Sequence, residues 1–180
     1  MTRIQANLVL LLAAAIWGGG FVAQSTAMAS IGPFWFVGIR FAVAAIAVAP
    51  FAMMETRRMG KAPNRSEFQS FATVGLALFA GATTQQVGLL TTTVTNSSFL
   101  TGLYVIFVPV IAVVVYRRYP HWIVWPCALM MLLGIFLLSG GHLSRLTTGD
   151  FLSITCAFFW AIQITLAGRF VMQSNRPLAL

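Results

Sequence analysis

The chain has 180 residues, of which 59% are hydrophobic and 8% charged, where a soluble domain carries about 25% charged residues. With a mean hydropathy of +0.88 this excludes an ordinary soluble domain and predicts an all-α integral membrane protein. Eleven basic against three acidic residues give a net charge of +8, which would suggest nucleic acid were the basic residues, Arg40 apart, not gathered in the connections and at the ends of apolar stretches.

A hydrocarbon core of about 30 Å needs roughly 20 apolar residues in helix, and six stretches are expected to cross it. The first runs from Leu8 to Ala29. Arg3, an apolar run and Ala27-Met28-Ala29 also fit a secretory signal, but the stretch is too long for one and five more follow, so a retained helix is expected. Gly18, Gly19 and Gly20 are expected to interrupt it, and it carries Trp17 near its middle and Gln24, Ser25 and Thr26 toward its far end.

The second stretch, Phe34 to Met54, holds Arg40 as its one charge away from a helix end, about 9 Å from the start of the span at 1.5 Å per residue. The third, Phe68 to Leu90, has Ala77 and Gly81 four apart on one face and then Thr83, Thr84, Gln85 and Gln86. The fourth, Asn96 to Tyr116, opens with Asn96, Ser97, Ser98 and Thr101. It contains Pro109, whose missing donor is expected to bend the helix at a gating point or as a static kink. Trp122 to Ser139 and Phe151 to Phe170 complete the set, the last with Trp160 at its centre. Trp17 and Trp160 read as an aromatic wall or as ordinary packing.

Basic residues fall in alternate connections: Arg3, then Arg57, Arg58, Lys61 and Arg65, then Arg117 and Arg118, then Arg169 and Arg176. Of the intervening connections, Ala29 to Pro33 and Thr91 to Thr95 are uncharged and the third has only Arg145. The positive-inside rule therefore predicts a multi-pass protein of a bacterial-type cytoplasmic (inner) membrane with its N-terminus in the cytoplasm. In that orientation Gln24, Gln85, Gln86, Asn96, Ser98 and Arg40 share the outer part of the membrane. They read either as a hydrated outward vestibule, which is the expectation, or as interfacial residues bonding one another and water. Arg40 either snorkels outward or faces that vestibule.

Aligning Trp17 with Trp160 superposes "LVLLLAAAIW" on "FLSITCAFFW", and nearby Ser30 meets Ser174 and Pro33 meets Pro177. Five spans separate the copies, so they run in opposite directions, as inverted-repeat transporters do. The chain accordingly divides into a first five-helix repeat, residues 1–141, and the start of a second, residues 149–180. It reads as a piece of a protein with about ten spans or as a naturally shortened product.

"IWGGGFVAQSTAM", "RFAVAAIAVAP", "QQVGLLTTTVTNSSFLTGLYVIFVPVIA", "LLGIFLLSGG" and "GDFLSITCAFFWAIQITLAGRF", in that order, resemble the EamA domain of the drug/metabolite transporter superfamily. The resemblance covers essentially the whole chain. It implies a ten-helix carrier built from two five-helix repeats that exports amino acids, other metabolites or drugs by alternating access. The chain departs from it in lacking four helices and in reading "YRRYPHW" after the fourth span, where many relatives have a glutamate.

No Asp or Glu lies within a span; Glu55, Glu67 and Asp150 sit at their ends. A proton-coupled mechanism would have to use Asp150 or a group outside this chain, whereas a facilitator or exchanger needs none. His121 and His142 stand singly, and Cys127 and Cys156 have no CxxC partner or metal-ligand neighbour. No enzyme activity, metal or cofactor is expected, and no nucleic acid. The expected partners are the lipid bilayer, a small-molecule substrate, and either a second copy or the C-terminal half of the fold. The competing expectation is a shortened, non-transporting membrane protein that pairs with itself or with a full-length relative.

Overall fold

The computed structural model describes residues 2–117, 119–138, 146–174 and 176. Arg118, the 139–145 connection with His142 and Arg145, and Pro177 lie outside them. The described chain is helical: α1 (Arg3–Ile31), α2 (Pro33–Met59), α3 (Arg65–Gly88), α4 (Val94–Thr101), α5 (Tyr104–Val114), α6 (Val124–Leu138) and α7 (Thr148–Ser174).

Local chemistry explains most of these boundaries. Thr2 and Gln5 form a reciprocal capping box at the start of α1, and Asn64 and Glu67 form another at the start of α3. Gly32, at φ 70°, ends α1 in a conformation that L side chains seldom take, and Pro33 opens α2 in the first turn, where an N–H has no intrahelical acceptor. Gly60 closes α2 at φ 63°. Gly18 to Gly20 do not interrupt α1, which is continuous through them, because each glycine weakens a helix but keeps the N–H and C=O that its hydrogen bonds need.

Among the described residues four stretches are long and apolar enough to cross a bilayer: Arg3–Met28, Pro33–Met59, Val94–Val114 and Thr148–Ser174. The Val94–Val114 stretch is α4 and α5 together, and α6 supplies a shorter apolar helix. The six expected crossings differ from this at α3 and α6, for different reasons. α3 has 24 residues, about 36 Å of helix, and is therefore long enough. Its threonines and glutamines lower its hydropathy, which a helix enclosed by other helices tolerates. The described part of α6 is apolar throughout and 15 residues long, shorter than a crossing needs.

The interior is the crossing of α3 with α7, the most extensive helix contact in the molecule, with α4 and α5 also packed on α7. Val74, Ala77, Gly81, Gln85 and Gly88 are buried along one face of α3. Gly149, Ser153, Ala157 and Ala161 are buried along one face of α7, a small residue every fourth position. At the top of this seam a Cβ on Gly149 would come within 2.3 Å of the Gly88 carbonyl oxygen. α1 and α2 lie outside this core. Leu8 to Leu12, Ile16 and Trp17 on α1 and Phe34, Trp35, Val43 and Ile46 on α2 are exposed, as lipid-facing side chains are.

The Val94–Val114 stretch is interrupted at Gly102 and Leu103. There Leu103 N–H donates to Leu100 O at 3.1 Å and Ile106 N–H to Leu103 O at 2.9 Å, the tighter three-residue pattern. Pro109 lies buried within α5, whose backbone stays helical on both sides of it.

Two ends of the molecule are distinct. At one, Arg176 donates to Thr56 Oγ1 and Lys61 O, and its Nε lies 3.7 Å from Glu67 Oε1, so the end of α7 is tied to the α2–α3 connection. At the other, the α3–α4 turn is tied to the start of α7 through Thr92 and Asp150. The basic connections therefore share one end, and the Thr91 to Thr95 connection lies at the opposite one.

Candidate functional site

Polar side chains from α1, α3, α4 and α7 meet in a buried layer at the end opposite the basic connections. Gln86 on α3 is fully buried and its Nε2 donates to Gln24 Oε1 on α1. Gln85 Nε2 donates to Thr101 Oγ1 on α4 at 3.1 Å. Ser97 of α4 and Ser153 of α7 share a hydrogen bond of 3.0 Å between their hydroxyls. Since the Ser153 hydroxyl donates to Gly149 O at 2.9 Å, its one proton is committed and Ser97 is the donor.

Above this layer Asp150 closes the helix end. One carboxylate oxygen accepts from Thr92 Oγ1, the other from Thr147 N–H at 2.8 Å and Thr147 Oγ1 at 2.9 Å, and Asp150 N–H donates back to Thr147 Oγ1 at 3.1 Å. This is a capping box whose carboxylate also reaches across to the α3–α4 turn.

Among the described residues, Thr83 Oγ1, Gln86 Oε1 and Trp160 Nε1 are buried side-chain atoms of α3 and α7 without a hydrogen bond of normal geometry, and the Cys156 thiol lies beside the indole. Trp160 stands edge-on to Trp17, ring centroids 5.1 Å apart, so the two tryptophans form a contact between α7 and α1 just below the glutamines. Gly81 makes room for Trp160, since a Cβ there would lie 3.4 Å from the indole.

The remaining sequence candidates fall into two groups. Ser98 turns its hydroxyl to Val94 O of its own helix at 2.6 Å, and Ser25 and Thr26 both donate to Val22 O, so these three do not link helices. Asn96 is half-buried on α4, its backbone N–H capped by Thr93 Oγ1. Arg40 is partly buried on α2 with its guanidinium carbon 5.8 Å from the Phe36 ring centroid and 5.5 Å from that of Phe41, which in turn touches Phe79 on α3. Its charge thus rests on aromatic faces.

Sequence reasoning singled out the glutamines and α4 hydroxyls but not Ser153, Gly88 or Gly149. The signal for two of these was present: Gly149, Ser153, Ala157 and Ala161 repeat small side chains every four residues on one face of an apolar helix. Among the described residues no group of His, Cys, Asp and Glu is placed to hold a metal ion.

A separate cavity of about 660 Å³ opens at the basic end between the last turns of α5 and α7. Tyr116, Thr165, Arg169 and Gln173 are among its walls.

Residues 4–140 match the model of the EamA-like transporter family. The chain is 33% identical over 173 residues to an uncharacterized transporter of Archaeoglobus fulgidus, a match that covers 96% of this chain and 52% of that protein. The chain thus spans about half the length of this curated relative. No solved structure matches it. A helical membrane protein whose apolar helices enclose a polar layer, and whose sequence matches this family over most of its length, belongs to the EamA-like transporter family.

Proposed function

We propose that the chain is one half of an alternating-access transporter for a small polar or amphipathic metabolite, amino acid or drug, and that it works in export. The buried polar layer between α1, α3, α4 and α7 is its share of the substrate route. The observation that carries this reading is the buried pair without a normal hydrogen bond, Gln86 Oε1 and Trp160 Nε1. An acceptor and a donor left unsatisfied inside a membrane protein cost several kcal/mol between them, about the sum of two lost hydrogen bonds. A passing substrate with a donor and an acceptor of its own would satisfy both. Arg40, at the side of α2 nearest this layer's end of the molecule, supplies a positive charge that a substrate carboxylate or phosphate would meet. Bending of the α4–α5 span between Gly102 and Pro109 would be the moving part.

The inverted-repeat reading gains support from the tryptophans. Trp17 and Trp160 are equivalent positions in the internal alignment, and they touch. A residue and its pseudo-symmetry mate meet only close to the axis that relates them, so the axis would run between these two rings, beside the polar layer. Substrate sites of such folds lie at the repeat interface. In this reading residues 1–141 form the first repeat, residues 149–180 begin the second, and the basic end, with the N-terminus, faces the cytoplasm of a bacterial-type inner membrane.

The experiment is flux. Proteoliposomes holding the product of the whole open reading frame are loaded with a panel of radiolabelled amino acids, nucleosides and cationic drugs, and release is compared with empty vesicles. Release of at least one class above the empty-vesicle rate is expected. A flat panel would instead favour a non-transporting protein that pairs with itself or a full-length relative, a second reading prompted by the match to only 52% of the relative.

A further inference from the structure

We propose that the cavity between α5 and α7 at the basic end is a binding site for the phosphate headgroup of an anionic glycerophospholipid, with Arg169 as its charge partner. The site lies apart from the polar layer and is independent of what, if anything, the protein transports. Arg169 is five residues before Ser174, the last residue of α7, about 7.5 Å of helix, a distance comparable to the thickness of one headgroup layer. Its guanidinium carbon lies 5.5 Å from the Tyr116 ring centroid, so the side chain is held over an aromatic face at the cavity wall.

Among the described residues that line the cavity none carries a carboxylate. The Tyr116 phenol and the Gln173 amide add neutral donors to the same wall, whereas Thr165 spends its proton on Ala161 O at 2.6 Å. Exposed Met172 and half-buried Ala112 give an apolar flank along which an acyl chain could lie. The volume, about 660 Å³, suits a phosphoglycerol headgroup and the first carbons of its chains. Charge complementarity selects the occupant: basic pockets between transmembrane helices take anionic headgroups, and Arg57, Arg58, Lys61 and Arg65 enrich the same end in positive charge.

The test is native mass spectrometry of the full chain released from nanodiscs of equal parts phosphatidylglycerol and phosphatidylcholine. Preferential retention of phosphatidylglycerol is expected. Arg169→Gln should reduce that retention about fivefold, the factor that one near-surface arginine contributes. Arg65→Gln removes a charge at the same end but away from the cavity, and should change retention less than twofold. Gly168→Leu keeps every charge and fills the cavity from a position with nothing within 4 Å of its added Cβ, so it should remove the preference. Equal losses from Arg65→Gln and Arg169→Gln would mean diffuse attraction, and equal retention of the two lipids would mean no headgroup site; either overturns the proposal. Inorganic phosphate at millimolar concentration should leave the lipid bound. Displacement by it would reassign the site to a soluble phosphate compound, and a lipid-insensitive dimer would assign the cavity to a second copy.

Discussion

A single methyl group at Gly149 would separate the two helices at the heart of the molecule. An added Cβ meets Gly88 O at 2.3 Å, Thr91 Oγ1 at 2.7 Å and Thr92 N at 2.8 Å, and two of these are backbone atoms that cannot swing aside. Gly149→Ala is therefore expected to destabilise the protein by about 1 to 3 kcal/mol, the usual range for overpacking, read as a lower midpoint of thermal unfolding in detergent. Gly18→Ala is the matched contrast, because nothing lies within 4 Å of a Cβ there and alanine is the better helix former. It should be neutral or raise stability by up to about 1 kcal/mol. The three consecutive glycines of α1 stand out in the sequence, and Gly88 and Gly149 do not. Composition marks a glycine, but only the partner helix reveals which one is needed. Arg40 poses the opposite case, a residue conspicuous in its apolar run whose role depends on what it faces. Held against Phe36 and Phe41, it is expected on Arg40→Leu to lower transport far more than membrane abundance, both measured in the same vesicles. Equal losses would make it a structural arginine.

At the scale of elements, α7 is fixed at both ends by polar contacts and in between by its small-residue face. Its start depends on Thr147 and Asp150, which cap each other and bind the α3–α4 turn. Thr147→Ala should cost about 1 kcal/mol, an ordinary N-cap loss. Asp150→Ala should cost more, about 2 kcal/mol, since it removes charge-assisted bonds to two residues. Chemical unfolding followed by the near-ultraviolet signal of Trp160 and its neighbours would rank the two. The helices themselves were legible in the sequence because a membrane span needs an unbroken apolar run, and α1, α2 and α7 have one. α3 was legible as a helix for the same reason, yet its place at the centre was not. Its glutamines read first as residues of a water-filled vestibule and only second as partners bonding one another, and their actual partners, Gln24 and Thr101, arrive from other helices. The break at Gly102 was hidden behind Pro109: proline advertises a bend, while the packing of Gly102 against Met131 Cε, 2.6 Å from an added Cβ, is a tertiary fact.

For the molecule as a whole, the charge pattern and the contacts agree on which connections share an end. Arg176 reaches the α2–α3 connection and Asp150 the α3–α4 turn, so two sets of loops are separated by the length of the helices. With the basic set inside, a cysteine introduced at Thr91 should react with an impermeant maleimide added to intact cells, and one at Lys61 should react only after lysis. The reverse pattern would invert the proposed orientation. Exposed apolar faces on α1 and α2 leave room for lipid, a second copy or the other half of a carrier, and the buried seam of α3 and α7 is what all three arrangements would keep. If the polar layer lies on the substrate route, Trp160→Phe should slow transport. The change keeps an aromatic ring opposite Trp17 and removes the indole donor together with the part of the ring that packs on Gly81. Measured as initial flux of a transported compound at equal amounts of folded reconstituted protein, transport should fall about tenfold, as loss of one buried hydrogen bond to substrate implies. Flux equal to that of the unmodified protein would place the layer off that route.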